Sequence, residues 1–328
     1  LKSKAQHIEV NLNPNAAKST IDRVVENIKK VILGKEPQIR QALACWIAGG
    51  HILFEDVPGT GKTMLARALA ASVNLNNRRV QFTPDLLPSD IIGSSIFSRE
   101  HGNFTFLPGP IFTSVLLADE INRATPRTQS ALLQAMAEGQ CTAENKTYNL
   151  PDNFFVIATQ NPVEQQGTFP LPEAQLDRFM LRIALGYPGI QMEKDMIKAQ
   201  LLRHPIENLT AVISEEDWRQ VRSSARSIQV TDSVLHYAMS LVEQSRNHPH
   251  VALGCSPRAT IALIRCAQAW SLMTGEEFVK PDFIKALAPA IIEHRLVLST
   301  KSRLEGVRTA QVLKDIITNV TVPVGQTR

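Results

Sequence analysis

Residues 56 to 63 read D-V-P-G-T-G-K-T. Glycines lack a Cβ, so Gly59 and Gly61 let backbone N–H groups converge on an anion. Lys62 supplies a point charge to β- and γ-phosphates, and the Thr63 hydroxyl is a ligand for Mg²⁺. The candidate nucleotide contacts are therefore Pro58, Gly59, Thr60, Gly61, Lys62, Thr63 and Met64. The general pattern is G-x-x-x-x-G-K-[ST], and Asp56 stands where its first glycine belongs. That position turns the chain out of a strand. Asp accepts turn conformations, and its carboxylate can bond nearby backbone N–H groups. Asp56 is thus read as a tolerated variation, and Asp56→Gly is expected to leave ATP affinity within a few-fold.

A second constellation lies 57 residues beyond Lys62, in S-V-L-L-A-D-E. Asp119 is placed to hold Mg²⁺ through its water shell, and Glu120 to orient and polarise an attacking water. The segment V-I-A-T-Q-N also ends an apolar run in amides, and Asn161 could bond the water or the γ-phosphate. Arg178 in L-D-R-F and Arg258 in S-P-R carry the guanidinium suited to a transferring phosphoryl group. Each is also an ordinary surface cation, with Asp177 beside Arg178 as a ready partner. An apolar strand ending in Asp-Glu is common by itself. Its company with an intact G-T-G-K-T makes a metal–nucleotide site the better reading.

These side chains need a scaffold that brings strand ends together. Short apolar runs H-I-L-F-E-D, R-R-V-Q-F, S-V-L-L-A-D-E, F-F-V-I-A-T-Q and M-L-R-I-A-L alternate with helical patterns such as K-T-M-L-A-R-A-L-A-A-S-V. That alternation predicts a parallel sheet covered on both faces. Ligands of such sheets bind beyond the carboxyl ends of the strands. Ser19 or Thr20 is expected to cap the first helix, with residues 1–20 a polar lead-in. Two hairpins are predicted within this region, around His101-Gly102-Asn103 and around Glu144-Asn145. After Tyr187 the strand signals nearly vanish. The division expected is an α/β nucleotide-binding domain over 1–187 and an all-helical domain over 188–328.

Composition excludes several classes. The 328 residues are 44% hydrophobic and 20% charged, enough for a large core and unlike a disordered chain. A net charge of +4 is small for a dedicated nucleic-acid binder. No run approaches the ~18 apolar residues of a membrane span. Cys45, Cys141, Cys255 and Cys266 form no C-x-x-C pair and read as reduced, buried thiols of a cytoplasmic protein. His248 and His250 read as a polar loop around Pro249, Trp46, Trp218 and Trp270 as core, and the pairs Lys29-Lys30 and Arg78-Arg79 as solvated.

In order, D-V-P-G-T-G-K-T, L-L-A-D-E, I-A-T-Q-N, L-D-R-F and S-P-R resemble the Walker A, Walker B, sensor 1, arginine finger and sensor 2 of an AAA+ ATPase. Longer phrases narrow this: L-P-G-P-I-F-T-S-V-L-L-A-D-E-I-N-R-A-T-P-R-T-Q-S-A-L-L-Q-A-M-A-E-G-Q and F-F-V-I-A-T-Q-N-P-V-E-Q-Q-G-T-F-P-L-P-E-A-Q-L-D-R-F resemble the MoxR family. The likeness runs from about Ile21 to Val324, and MoxR-like sequences also carry Asp at the position of Asp56. It implies an AAA+ P-loop core with two inserted hairpins and a helical lid. ATP/ADP and Mg²⁺ are the implied ligands. Lys62 and Thr63 would bind phosphate and metal, Asp119 the metal, and Glu120 would be the catalytic carboxylate. Asn161 would be sensor 1, Arg178 a finger reaching a neighbouring subunit, and Arg258 a sensor of the γ-phosphate in the lid. Arg123 and Arg127 compete for the finger role. The adenine pocket would form around Leu33, Gly34 and Lys35. A homo-oligomeric ring, a hexamer by family, a protein client and a von Willebrand factor A domain partner are also implied. The work implied is chaperone-like remodelling or metal-cofactor insertion. Two rivals are a helicase-type motor and an ATP-binding scaffold without turnover. The hairpin tips E-H-G-N and E-N-K-T hold one Lys and no aromatic, which speaks against nucleic acid.

Overall fold

The computed structural model describes residues 12–57, 59–98, 103–143, 146–162, 167–200 and 205–323. Pro58 and the hairpin-tip residues 99–102 and 144–145 fall outside them. The strands are β1 (Ile52–Glu55), β2 (Asn77–Gln81), β3 (Gly93–Ser98), β4 (Asn103–Pro108), β5 (Val115–Asp119), β6 (Gln140–Ala143), β7 (Lys146–Asn149), β8 (Phe155–Gln160) and β9 (Leu181–Ile183). Helices α1 (Pro14–Lys29), α2 (Glu36–Ile47), α3 (Lys62–Ser72), α4 (Pro88–Ile92), α5 (Pro126–Glu138) and α6 (Glu173–Leu176) lie before or among them. Seven more follow: α7 (Ile190–Gln200), α8 (Glu215–Ser227), α9 (Asp232–Asn247), α10 (Pro257–Thr274), α11 (Pro281–Ile292), α12 (Thr300–Leu304) and α13 (Thr309–Asn319).

Five strands form one parallel sheet in the order β2-β5-β8-β1-β9. Side chains alternate across it with period two. Ile52, Phe54, Val115, Leu117, Phe155 and Ile157 enter one buried cluster, whereas Leu53, Leu116, Ala118, Val156 and Ala158 enter the other. The continuous apolar runs of the sequence are thus explained by burial on both faces. The order sets β5, β8 and β1 side by side, so the loops after them share one carboxyl edge. Hairpins β3–β4 and β6–β7 are antiparallel, as expected. They pack on each other through Phe106 and Tyr148, stacked at 4.1 Å between centroids.

Helix α1 begins earlier than Ser19 or Thr20, inside the stretch read as a polar lead-in. Asn13 Oδ1 accepts from Ala16 N at 2.8 Å, and Pro14 starts the helix with its φ preset. Among the described residues the second half is helical apart from a short antiparallel ribbon, Val251–Leu253 with Val297–Leu298, and an isolated bridge between Gln229 and Phe278, so it is not all-helical. Its core is continuous with that of the first half. Trp46 of α2 lies 4.5 Å from Trp218 of α8 and 5.3 Å from Phe155 of β8, ring to ring. Both tryptophans are buried. The four cysteines are buried and free. Among the described residues, no helix is long and apolar enough to cross a membrane. His248 and His250 belong to no metal-capable group among those residues; His250 Nδ1 instead bonds the Ser302 hydroxyl at 2.9 Å.

One buried histidine makes stability depend on pH. His51, just ahead of β1, accepts from Val156 N at its Nδ1 (3.0 Å), which leaves Nε2–H to donate to Met136 O (3.1 Å). This geometry needs the neutral ring, and burial pushes its pKa from 6.5 to about 4. The unfolded chain binds the extra proton first. The contribution is therefore complete above pH 6.5 and is lost as pH falls toward 4, about 3 kcal/mol in all. His294, buried and beside Arg295, is shifted in the same direction, first by burial and then by that charge. Urea midpoints should fall between pH 6.5 and 4, and His51→Gln should reduce the slope by about one proton.

Candidate functional site

The phosphate loop leaves β1 at its carboxyl end. Gly59 and Gly61 take φ of 82° and 92°, a region that favours glycine, and a Cβ on Gly59 would meet nothing within 4 Å. Gly61 caps α3, and no side chain caps the first turn of that helix. An uncapped helix start opening on a cavity presents free N–H donors of the kind an anion can use. Two adjoining cavities share Gly59, Thr60, Gly61 and Met64 as a common wall. One, about 410 Å³, is polar in character and holds Lys62, Thr63, Asp119, Glu120, Thr159 and Asn161 at its wall. The other, about 300 Å³, is framed by Val31, Leu33, Lys35, Tyr187 and Pro188. Leu33 and Lys35 are therefore where an adenine pocket was expected. Gly34 does not line it. It takes φ 68°, and a Cβ there would press Met192 of α7 at 3.0 Å, so its demand is conformational and steric.

Lys62 Nζ donates to the carbonyls of Asp56 (2.9 Å) and Val57 (3.0 Å). Partial burial lowers its pKa, and the carboxylates of Asp56, Asp119 and Glu120 oppose that shift. Asp119 ends β5 and Glu120 follows it directly. Asp119 Oδ1 accepts from the Thr159 hydroxyl at 2.6 Å, and that same oxygen of Thr159 accepts from Glu120 N at 2.8 Å. Glu120 has φ 56°, uncommon for a residue with a side chain and costing about 1–3 kcal/mol. Glu120 Oε2 accepts from Gln81 Nε2 at 2.6 Å and from Arg123 Nη1 at 2.9 Å. Asn161 is buried at the same wall.

Three of these partners were not singled out from sequence. Arg79, read as solvated, pairs with Asp119 at 2.7 Å. Gln81 reaches Glu120, and Thr159 ties both acids to β8. The pairing of β2 with β5 places Gln81 directly beside Asp119. No local pattern signals that neighbourhood.

The two arginines lie elsewhere. Met180 N donates to His51 O at 2.8 Å, and Leu181 pairs with Ile52. Arg178 therefore sits at the amino edge of the sheet. From His51 to Asp56 the strand rises about 16 Å. Arg178 Nη1 donates to Leu133 O at 2.8 Å. Arg258, 60% exposed, lies 3.7 Å from Asp177, in a hollow it shares with Arg178 and Arg265. Neither Arg178 nor Arg258 lines the cavity that holds Lys62. Asp177 is also clamped by Arg295, whose side chain is buried and whose Nε lies 2.8 Å away. Arg295 further donates to the carbonyls of Phe179 and Ile291 and fixes α11 to the start of β9. Arg123 is paired with its own Glu120, and Arg127 is exposed in the first turn of α5.

A parallel sheet with a glycine-rich loop, a capless helix and paired acids on one carboxyl edge defines a P-loop nucleotide-binding fold of the AAA+ type. Residues 51–181 match the family model "ATPase family associated with various cellular activities (AAA)", and residues 243–316 match "AAA lid domain". The chain is 46% identical to the uncharacterized protein YeaC of Bacillus subtilis, over 93% of this chain and 95% of that one. It is 34% identical to chaperone MoxR1 of Mycobacterium tuberculosis, over 93% of this chain and 82% of that one. A solved candidate ATPase from Cytophaga hutchinsonii superposes with a TM-score of 0.88 at 36% identity, covering 95% of this chain and 97% of the other. The chain belongs to the MoxR family of AAA+ ATPases.

Proposed function

We propose that the chain hydrolyses ATP in a Mg²⁺-dependent manner and uses the cycle to remodel a protein partner. One observation carries this: a nucleoside-sized cavity and the cavity at the glycine-rich loop are contiguous through Gly59, Thr60, Gly61 and Met64, and Asp119 and Glu120 line the second of them. Lys62 and the first-turn N–H groups of α3 grip the phosphates. Thr63 and Asp119 would hold Mg²⁺, which when bound spreads phosphate charge. Glu120 polarises water, and Asn161 orients it or the γ-phosphate. Lys62→Ala should weaken nucleotide binding about 100-fold, as expected for a lost charge-assisted contact, measured with fluorescent ADP.

Arg178 and Arg258 share one hollow at the amino edge of the sheet, far from their own phosphate loop. Together they support a ring in which each subunit completes its neighbour's site, six-membered by family. The exposed apolar side chains on both faces of hairpin β3–β4 support a protein client. Ile96, Phe97, Phe104 and Leu107 are more than half exposed, and no Lys or Arg occurs in either strand. Phosphate-bearing partners need basic contacts that these two strands lack. The tip sequences alone had hidden these aromatics, because Phe97 and Phe104 stand just beneath the tip, 5.4 Å apart. The relative named chaperone MoxR1 supports a chaperone role. A von Willebrand factor A domain partner and a metal-cofactor client fit the same reading. The test is capture on Glu120→Gln protein with ATP, against Lys62→Ala as control. A client retained equally by both would overturn nucleotide-driven remodelling.

A further inference from the structure

Asp56 does more than turn the chain. It is 7% exposed, and its backbone N donates to Gln160 O at 3.1 Å. Its Oδ1 accepts from Val57 N at 2.9 Å, the local bond expected of a turn Asp. Its Oδ2 reaches across the fold and accepts from Leu185 N at 2.9 Å and Gly186 N at 2.7 Å. Gly186 has φ 66°, and the bend there lets successive N–H groups meet one oxygen. These amides lie between β9 and α7, in the single covalent passage from the sheet to the helical lid. The next residues, Tyr187 and Pro188, frame the nucleoside cavity, and Tyr187 O accepts from Lys35 Nζ at 2.9 Å. On the other side of Asp56 stands Lys62, bonded to its carbonyl. One buried residue thus touches Lys62 through its carbonyl and the core–lid joint through its carboxylate.

We propose that Asp56 is a positioning residue that transmits phosphate occupancy from Lys62 to the core–lid joint at Leu185–Gly186. The proposal rests on the nucleotide-binding reading above. Phosphate draws the ammonium of Lys62 off the carbonyls of Asp56 and Val57. A cation then leaves the neighbourhood of the carboxylate, and its three N–H donors must compensate the charge alone. Such charge-assisted bonds strengthen as the acceptor becomes less neutralised in a poorly solvated setting. Nucleotide binding therefore tightens the hold on residues 185 and 186 and steadies the wall made by Tyr187 and Pro188. A glycine at position 56 leaves the loop able to bind phosphate and removes this link.

Hydrogen exchange of the 184–189 segment in the full chain, with and without ADP, reads the hold directly and needs no turnover. In wild type, ADP should slow exchange there about tenfold. In Asp56→Ala, exchange should be fast in both states and kcat about tenfold lower, with the Kd for ADP within about threefold. Asp56→Asn preserves size, and its amide oxygen can still accept from Leu185 and Gly186, but it is uncharged. It should show slow exchange that no longer responds to ADP. A normal ADP response in both variants overturns the proposal. So does an equal loss of ADP affinity and kcat in Asp56→Ala, which would make Asp56 a part of the phosphate grip only. If wild type shows the ADP response yet turns over no faster than Glu120→Gln, the hydrolase reading fails and the link stands. If wild type turns over without any response at 184–189, the link fails and the hydrolase reading stands.

Discussion

Arg178→Ala should lower ATP turnover about a thousandfold or more while leaving nucleotide binding nearly unchanged, the signature of a finger acting from a neighbouring subunit. The expectation follows from position. Arg178 precedes β9 at the amino edge of a parallel sheet, and the phosphate loop leaves β1 at the opposite edge. Its guanidinium donates to Leu133 O, a neutral contact whose loss costs about 1 kcal/mol, so the variant should remain folded. Mixing distinguishes the possibilities. Arg178→Ala subunits keep an intact cavity, and Glu120→Gln subunits keep an intact arginine. Random 1:1 rings should recover up to about a quarter of wild-type turnover, since that fraction of head-to-tail interfaces joins a good cavity to a good arginine. Absence of rescue in verified mixed rings would reject action in trans and return attention to Arg127 or Arg123. Arg258→Ala should behave in the same way if its place in the hollow beside Arg178 serves the same neighbour.

Glu120→Gln should lower kcat by about 100-fold to 10,000-fold and retain ATP, as expected for loss of a general base. Gln has the size of Glu, and its amide oxygen can still accept from Gln81 or Arg123, so the backbone at φ 56° need not relax. What disappears is the negative charge that polarises water. Single-turnover and steady-state rates, read beside ATP affinity, separate this from a binding defect. Equal background rates in wild type and variant would favour a nucleotide-dependent scaffold.

The local structure around Lys62 was legible because its parts are consecutive. A strand, two glycines, Lys62, Thr63 and a helix follow one another, and each imposes a local requirement that sequence displays. The acids Asp119 and Glu120 were legible for a similar reason, as polar ends of an apolar run that must cross a buried sheet. The start of α1 was misplaced because Asn13-Pro14 is also a cap signal, and it overrides the later Ser19 and Thr20. The ribbon Val251–Leu253 with Val297–Leu298 was invisible, since two short pieces 44 residues apart define no pattern until they pair.

By itself, then, the sequence determined the class of sheet, the glycine-rich turn into α3 and the acids at the end of β5, because these depend on side-chain period and on neighbours along the chain. Only the tertiary structure decided what faces those groups. The strand order β2-β5-β8-β1-β9 brings Arg79, Gln81 and Thr159 to the acids. Parallel pairing of β9 with β1 sends Arg178 to the far edge, and contacts of Ser256 and Arg258 with Asp177 bring the start of α10 there. The crossing from β9 toward α7 lays two amides against Asp56. Hydrogen bonds and ion pairs act over about 3 Å of space whatever the separation along the chain, so residues far apart in sequence acquire their roles only when the fold sets that distance.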